Sequence, residues 1–284
     1  MYFIDTGLDK QTVDYIAKSM TVPVRVLAHG KHHDYWTTVY KNPDTRTCDI
    51  HRVSFGKYTK ERFNEVHRPV IDRIIASADT PPKGKKPVCF LYGGGSASGK
   101  STVVSNVVDP VINSSGLKFA RLDCDELKND IPEYEFFKSQ DAATAAGRVH
   151  RESSDLCNEC IDALMRRKKC FTFDGVMGNY KRYKEIIGDL KHHGYEVHIV
   201  AADIPTDLAV ERANLRERKI DEKIIRGAHK DFAGAFPQIM KLPVDSFSLY
   251  DNSQPPGEPI KCIVNSDGVQ DPELYKRFLQ KGRR

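Results

Sequence analysis

The feature that most constrains this chain is the run Gly94-Gly95-Ser96-Ala97-Ser98-Gly99-Lys100-Ser101. It follows the apolar stretch Val88 to Tyr92 and precedes Val103, Val104 and Val107. A strand, a glycine turn and a helix start in that order point backbone N–H groups into a concavity that suits an anion. Glycines let the backbone wrap closely round phosphates, a lysine reaches the β- and γ-phosphates, and a serine or threonine hydroxyl serves Mg²⁺. Gly94, Gly99, Lys100 and Ser101 supply these parts at the required spacing. Composition alone would produce the bare pattern in roughly 1% of chains this long, and the flanking strand and helix lower that further. The cradle is therefore read as Gly94, Gly95, Ser96, Ala97, Ser98, Gly99, Lys100, Ser101 and Thr102, with ATP and Mg²⁺ as the cofactors it implies.

Beyond the loop, short β-rich apolar runs recur at Phe119 to Leu122, Cys170 to Phe173, Val197 to Ala201 and Ile260 to Val264, with helical segments between them. This alternation predicts an α/β fold of the P-loop NTPase kind, a three-layer sandwich with a parallel sheet and ligands beyond the carboxyl ends of its strands. Upstream, Pro81-Pro82-Lys83-Gly84-Lys85-Lys86-Pro87 excludes a helix or central strand and reads as a linker over 81–87. It separates a small, mainly helical module over residues 1–80 from the loop-bearing domain over 88–284. Within the module, Val13, Ile16 and Met20 mark a short helix, and Val24 to Leu27 a strand. Phe63, Val66, Val70 and Ile74 predict an amphipathic helix over residues 59–77, capped by Thr59 and kinked at Pro69. The role of residues 1–80 is not legible.

No run of eighteen apolar residues and no secretory leader pattern is visible, so the expected location is the cytoplasm, where seven scattered cysteines are reduced thiols. A net charge of +5 fits anionic ligands but, without a focused basic patch, argues against nucleic acid.

The second strand end reads Leu122-Asp123-Cys124-Asp125-Glu126-Leu127-Lys128. Alternation along an extended segment points Asp123 and Asp125 to the same side. Phosphoryl transfer to a hydroxyl wants one carboxylate to take the proton and commonly another for Mg²⁺, and this pair can fill both roles; an acid here can also simply cap the next helix. Thr206-Asp207 opens a helix bearing Arg212, Arg216, Arg218 and Lys219. Arginines closing over a γ-phosphate neutralise charge in the transition state, although such a face can equally be solvated. Arg212 and Arg216 share a helix face, while Asp221 as an N-cap would end the first helix near Arg218 and turn that side chain inward.

The strand, the loop and Leu122-Asp123-Cys124-Asp125-Glu126-Leu127-Lys128…Pro132 resemble the zeta toxin family of P-loop kinases over residues 87 to about 265. Even Tyr58-Thr59-Lys60-Glu61-Arg62…His67 is similar to a segment preceding the kinase core in longer members. The resemblance implies a phosphotransferase acting on an alcohol group of a small nucleotide-type substrate, UDP-N-acetylglucosamine above all, with an antitoxin protein as partner; a nucleoside, a nicotinamide dinucleotide or a polynucleotide 5′ end is the alternative acceptor. It assigns Asp125 as base and Asp123 as a structural or metal-binding neighbour. Of the two arginines it implies, Arg212 and Arg218 match best, with Arg216 a rival for either. Asp174-Gly175-Val176 stands where the family has Glu-Gly-Thr, so Asp174 joins Ser101 and Asp123 as a candidate for Mg²⁺, and Asn179 for the missing threonine. A competing class, a nucleotide-binding switch or assembly protein, loses ground because no Asn-Lys-x-Asp guanine motif is present.

Several other patterns carry less. Cys157 and Cys160 have metal-type spacing but fall inside a helix with no second pair, and His29, His32 and His33 with Asp34 lack a partner cluster. Arg166-Arg167-Lys168-Lys169 offsets a helix end, and the terminal Lys281-Gly282-Arg283-Arg284 reads as a frayed tail.

Overall fold

The structure is a computed structural model that describes residues 3–5, 25–27, 36, 38–215, 220–255 and 257–283. The expected helix at Val13, Ile16 and Met20, the histidines His29, His32 and His33 with Asp34, and Arg216, Arg218 and Lys219 lie outside the described residues. The chain forms two units, residues 1–74 with 124–161, and residues 75–123 with 162–284. The N-terminal module read from the sequence thus shares its unit with a later segment.

In the first unit, β1 (Phe3–Asp5) pairs in parallel with β2 (Arg25–Leu27), and helix α1 (Thr47–His51) leads into the hairpin of β3 (Arg52–Ser54) and β4 (Lys57–Tyr58). Thr59 caps the next helix as expected, its hydroxyl accepting from the Arg62 N–H at 3.2 Å. That helix, α2, runs through Lys60–Arg62, a π-helical turn Phe63–His67 and Arg68–Ala76. Pro69 has no N–H to give, and directly before it the ladder is re-spaced: the Arg68 N–H bonds the Phe63 carbonyl, five residues back. Helices α3 (Glu133–Gln140) and α4 (Ala142–Arg166) bring Tyr134, Phe136, Phe137, Ala145 and Val149 together with Tyr40 into an apolar cluster.

Arg62 and His67 explain why the Tyr58-to-His67 stretch stands out. The Arg62 guanidinium donates to Glu133 at 2.7 and 3.0 Å and to Glu152 at 2.6 and 3.1 Å. His67 meets Glu152 at 3.1 Å and Glu159 at 2.7 Å, and Tyr58 donates to Asp155 at 3.1 Å. Arg62, Glu133, Glu152 and His67 are all buried. Charges this deep survive only when paired. Burial works to raise the Glu152 carboxyl, but Arg62 and His67 outweigh it and hold it at about 2. Burial likewise pulls the His67 imidazole down, yet the bonds from Glu152 and Glu159 leave it raised above its usual value.

The second unit is built on a seven-stranded sheet. In chain order its strands are β5 (Val88–Gly93), β6 (Ala120–Asp123), β7 (Phe171–Asp174), β8 (Glu196–Asp203), β9 (Ser246–Asp251), β10 (Lys261–Asn265) and β11 (Gly268–Val269). Across the sheet they lie in the order β11-β10-β9-β8-β5-β7-β6. The five strands β5 to β9 are parallel, as the alternation predicts, whereas β10 and β11 are antiparallel. The expected parallel sheet is extended at this edge by antiparallel strands, because a β9–β10 connection of nine residues lacks the helix that a parallel crossover needs. Strand β9 was not expected at all.

Helices α5 (Lys100–Val107) and α6 (Asp109–Ser115) follow β5, and Val103 and Val108 pack with Phe90, Tyr92 and Val200 of the sheet. Next come α7 (Tyr180–His192), α8 (Thr206–Asn214), α9 (Glu222–Ile239) and α10 (Pro272–Lys281). The C-terminal segment is no frayed tail: Phe278 is fully buried against Phe232 and Phe236, and Lys281 bonds Asp203 at 2.5 Å and the Ile204 carbonyl at 2.6 Å. All seven cysteines are free thiols, with Cys157 and Cys160 buried on α4. Among the described residues no helix is long and apolar enough to cross a membrane.

Candidate active site

The loop leaves β5, the strand flanked by β7 and β8, and enters α5 at Lys100. Ala97 (φ +60°) and Gly99 (φ +76°) are both left-handed. Such residues turn successive N–H groups to one side, which is how a backbone nest for an anion is made. Gly99 admits nothing larger, since a Cβ there would come within 1.9 Å of the Asn252 amide. That amide in turn donates to the carbonyls of Ser98 at 3.1 Å and Gly99 at 3.3 Å. Lys100 Nζ donates to the Gly94 carbonyl at 3.3 Å and lies 3.5 Å from Asp174 Oδ1. Ser101 and Thr102 occupy the exposed first turn of α5.

Four of the five parallel strands end in an aspartate: Asp123, Asp174, Asp203 and Asp251. Asp123 and Asp174 are register partners on adjacent strands, as are Asp203 and Asp251. The first pair puts two carboxylates side by side at the sheet's carboxyl edge, with Asp174 next to Lys100. Among the described residues no group of three or more His, Cys, Asp or Glu side chains forms a metal cluster. Mg²⁺ needs none, because it takes one or two carboxylates and fills its remaining positions with phosphate and water. Ser101, Asp123 and Asp174 fit that sparse donor set.

The segment after β7 is braced to the loop: the Gly94 N–H donates to the Val176 carbonyl at 3.2 Å and the Gly175 N–H to the Tyr92 carbonyl at 3.3 Å. Asn179, a candidate for the missing threonine, spends its side chain as the N-cap of α7, accepting from the Arg182 N–H at 3.1 Å. Arg212 sits in the last turn of α8 and donates to the carbonyls of Asn252 at 3.0 Å and Gln254 at 3.4 Å. It is thereby held to the loop that carries Asn252. Asp221 caps α9, accepting from the Lys223 N–H at 2.7 Å, while α8 already ends at Asn214.

Asp125 belongs to the first unit. Strand β6 ends at Asp123 and Asp125 is helical in backbone (φ −76°, ψ −37°), so strand alternation does not carry across to it. It occupies the N-cap position of a 3₁₀ turn, Glu126–Asp130, yet its side chain makes no capping bond and pairs with buried Lys128 instead.

Sequence reasoning missed His229 and Asp203. His229, buried on α9, bonds the Ser96 carbonyl through Nε2 at 2.9 Å, and a Cβ on Gly95 would meet its ring at 2.3 Å. Its Nδ1 faces Asp203 Oδ1 at 4.0 Å, and neither atom has a hydrogen-bond partner. The strand-end logic that found Asp123 and Asp174 applied equally to Asp203; nothing local pointed to His229. A cavity of about 540 Å³ opens beside Asp203, among Arg226, Lys230, Asp251, Arg277 and Lys281, and no residue of the phosphate loop lines it.

The profile of the family described as Zeta toxin matches residues 72–246, more than half of the chain. The chain belongs to the zeta toxin family. Zeta toxins are P-loop kinases. Solved structures agree on the fold. The AvrRxo1-ORF1:AvrRxo1-ORF2 complex in its native form aligns at 16% identity and TM-score 0.65, over 84% of this chain and 83% of that one. The same complex with ATP aligns at 16% identity and TM-score 0.61, over 87% and 77%. A structure of the PezAT chromosomal toxin-antitoxin system of Streptococcus pneumoniae aligns at 14% identity and TM-score 0.57, over 81% and 97%. No curated protein sequence matches the chain significantly.

Proposed function

We propose that this zeta toxin family kinase transfers the γ-phosphate of ATP, with Mg²⁺, to a hydroxyl of a nucleotide-type acceptor, a UDP-sugar such as UDP-N-acetylglucosamine. The observation that carries the reading is Lys100, held between the Gly94 carbonyl and Asp174 where the glycine loop meets the sheet edge. A lysine there exchanges a carbonyl and a carboxylate for β- and γ-phosphate oxygens. Ser101, with Asp123 and Asp174, would hold Mg²⁺, which neutralises the phosphates when bound. Asp125, whose carboxylate pairs with Lys128, would accept the hydroxyl proton. Arg212, with Arg218 or Arg216, would clamp the transferring group, where charge spreads over three equatorial oxygens. The acceptor is set by Asp174 and Val176, where the sequence leaves the family pattern. An antitoxin partner belongs to the same proposal; the PezAT structure is of a toxin-antitoxin system.

The test is incubation with γ-labelled ATP and a panel of UDP-sugars, nucleosides, nicotinamide dinucleotides and oligonucleotides. Label on UDP-N-acetylglucosamine is the expected result. Label on another acceptor reassigns the substrate, and slow ATP turnover with no labelled product favours the nucleotide switch.

A further inference from the structure

We propose that His229 is a positioning residue that holds the phosphate loop in its anion-binding shape from behind, through its Nε2–H bond to the Ser96 carbonyl. The inference rests on the ATP reading of the loop and concerns a residue that never touches the nucleotide. A carbonyl only accepts, so a hydrogen bond of 2.9 Å to Ser96 fixes the proton on Nε2. Burial lowers the imidazole to about 4, so the ring is neutral at physiological pH and its Nδ1 is a bare acceptor. That acceptor faces Asp203 Oδ1 at 4.0 Å, while Lys281 holds Asp203 by its other oxygen at 2.5 Å.

A buried, unpartnered acceptor is costly, and an apolar residue at position 229 would fill the same space without Nδ1. What the histidine supplies and an apolar residue cannot is the donor to Ser96. The contact is also steric, because the ring occupies the volume that a side chain on Gly95 would need. One residue thus fixes the carbonyl direction at Ser96 and the depth of the backbone at Gly95, two peptides whose orientation decides where the loop's N–H groups point. The donor is uncharged, so it holds the loop without competing with Lys100 for the phosphates. Helix α10 backs the arrangement: Lys281 fixes Asp203, and Phe278 packs against Phe232 one turn along α9 from His229.

The experiment compares ATP dissociation constants and thermal midpoints of the full chain for wild type, His229→Leu, His229→Gln and His229→Asn. His229→Leu should bind ATP about tenfold more weakly, the scale of one hydrogen bond, with a midpoint equal to or above wild type. His229→Gln carries an amide N–H at the reach of Nε2 and should restore affinity to within about threefold, whereas His229→Asn, one methylene shorter, should not. Wild-type affinity in His229→Leu, or equal affinity in the Gln and Asn variants, would overturn the proposal; the Gln and Asn pair decides if the Leu variant fails to fold. Wild-type protein that binds no ATP would overturn the reading of the loop, and this inference with it.

Discussion

Arg62 in the first unit meets two carboxylates through four hydrogen bonds of 2.6 to 3.1 Å, and the carboxylates it meets also bond His51 and His67. In the second unit, His229 bonds one carbonyl and leaves its other nitrogen 4.0 Å from an equally unpartnered carboxylate oxygen. Both systems are buried polar clusters, yet they are built for different ends. In the first the carboxylates and the guanidinium answer one another, although His51 Nδ1 is left without a hydrogen-bond partner, and such paired charges specify a unique packing, which is what a unit assembled from two separate chain segments requires. A cluster that leaves atoms unsatisfied loses stability, and such a loss is accepted where the geometry serves a site, as it does directly behind the phosphate loop.

The largest effect that can break this contrast is expected from Arg62→Met. It strands Glu133 and Glu152 in the interior and should cost about 3–5 kcal/mol in denaturant unfolding. A cost below about 1 kcal/mol would mean that the network is not what holds the unit together. A smaller but more local effect is expected from Gly95→Ala. The added methyl must displace the His229 ring, so ATP affinity should fall by about tenfold or more while stability drops by about 1–3 kcal/mol. Unchanged affinity would separate the ring from loop geometry.

The smallest effect is the pH response of His67. Its folded value is raised above the usual 6.5, so its contribution is complete below that pH and is lost as pH rises through the folded value. The stability advantage of wild type over His67→Gln should therefore shrink from pH 6 to pH 9, followed by thermal midpoint. An advantage that grows with pH would reverse the assigned direction.

The phosphate loop, its strand and its helix were legible because the motif is local and its residue types are dictated one by one. The strands β5, β7 and β8 were legible because both faces are largely buried, which writes a mostly apolar run, whereas the edge strand β6 alternates buried Ala120 and Leu122 with exposed Arg121. Strand β9, Ser246–Asp251, was not: four of its six residues are only partly buried, and Ser-Phe-Ser-Leu-Tyr-Asp reads as a polar connection. The antiparallel direction of β10 was invisible for another reason, since periodicity does not encode strand direction. In the site, Asp123 and Asp174 were found by their place at strand ends and do lie side by side. Asp125 was found by likeness to a family, and its αR backbone shows that alternation was the wrong argument for it. His229 and Asp203, 26 residues apart, meet only in the fold. The Arg62 network was partly visible as a segment similar to longer zeta toxins, but its carboxylates sit 71 and 90 residues downstream.

ATP bound at the loop is expected to give up its γ-phosphate to a hydroxyl whose proton Asp125 accepts. The direct measurement is label transfer from γ-labelled ATP to acceptor by wild type and Asp125→Asn, with the ATP dissociation constant determined for both. Transfer should fall by about a hundredfold or more while the dissociation constant stays within about twofold. Transfer that survives the substitution would contradict the assignment and move the base elsewhere.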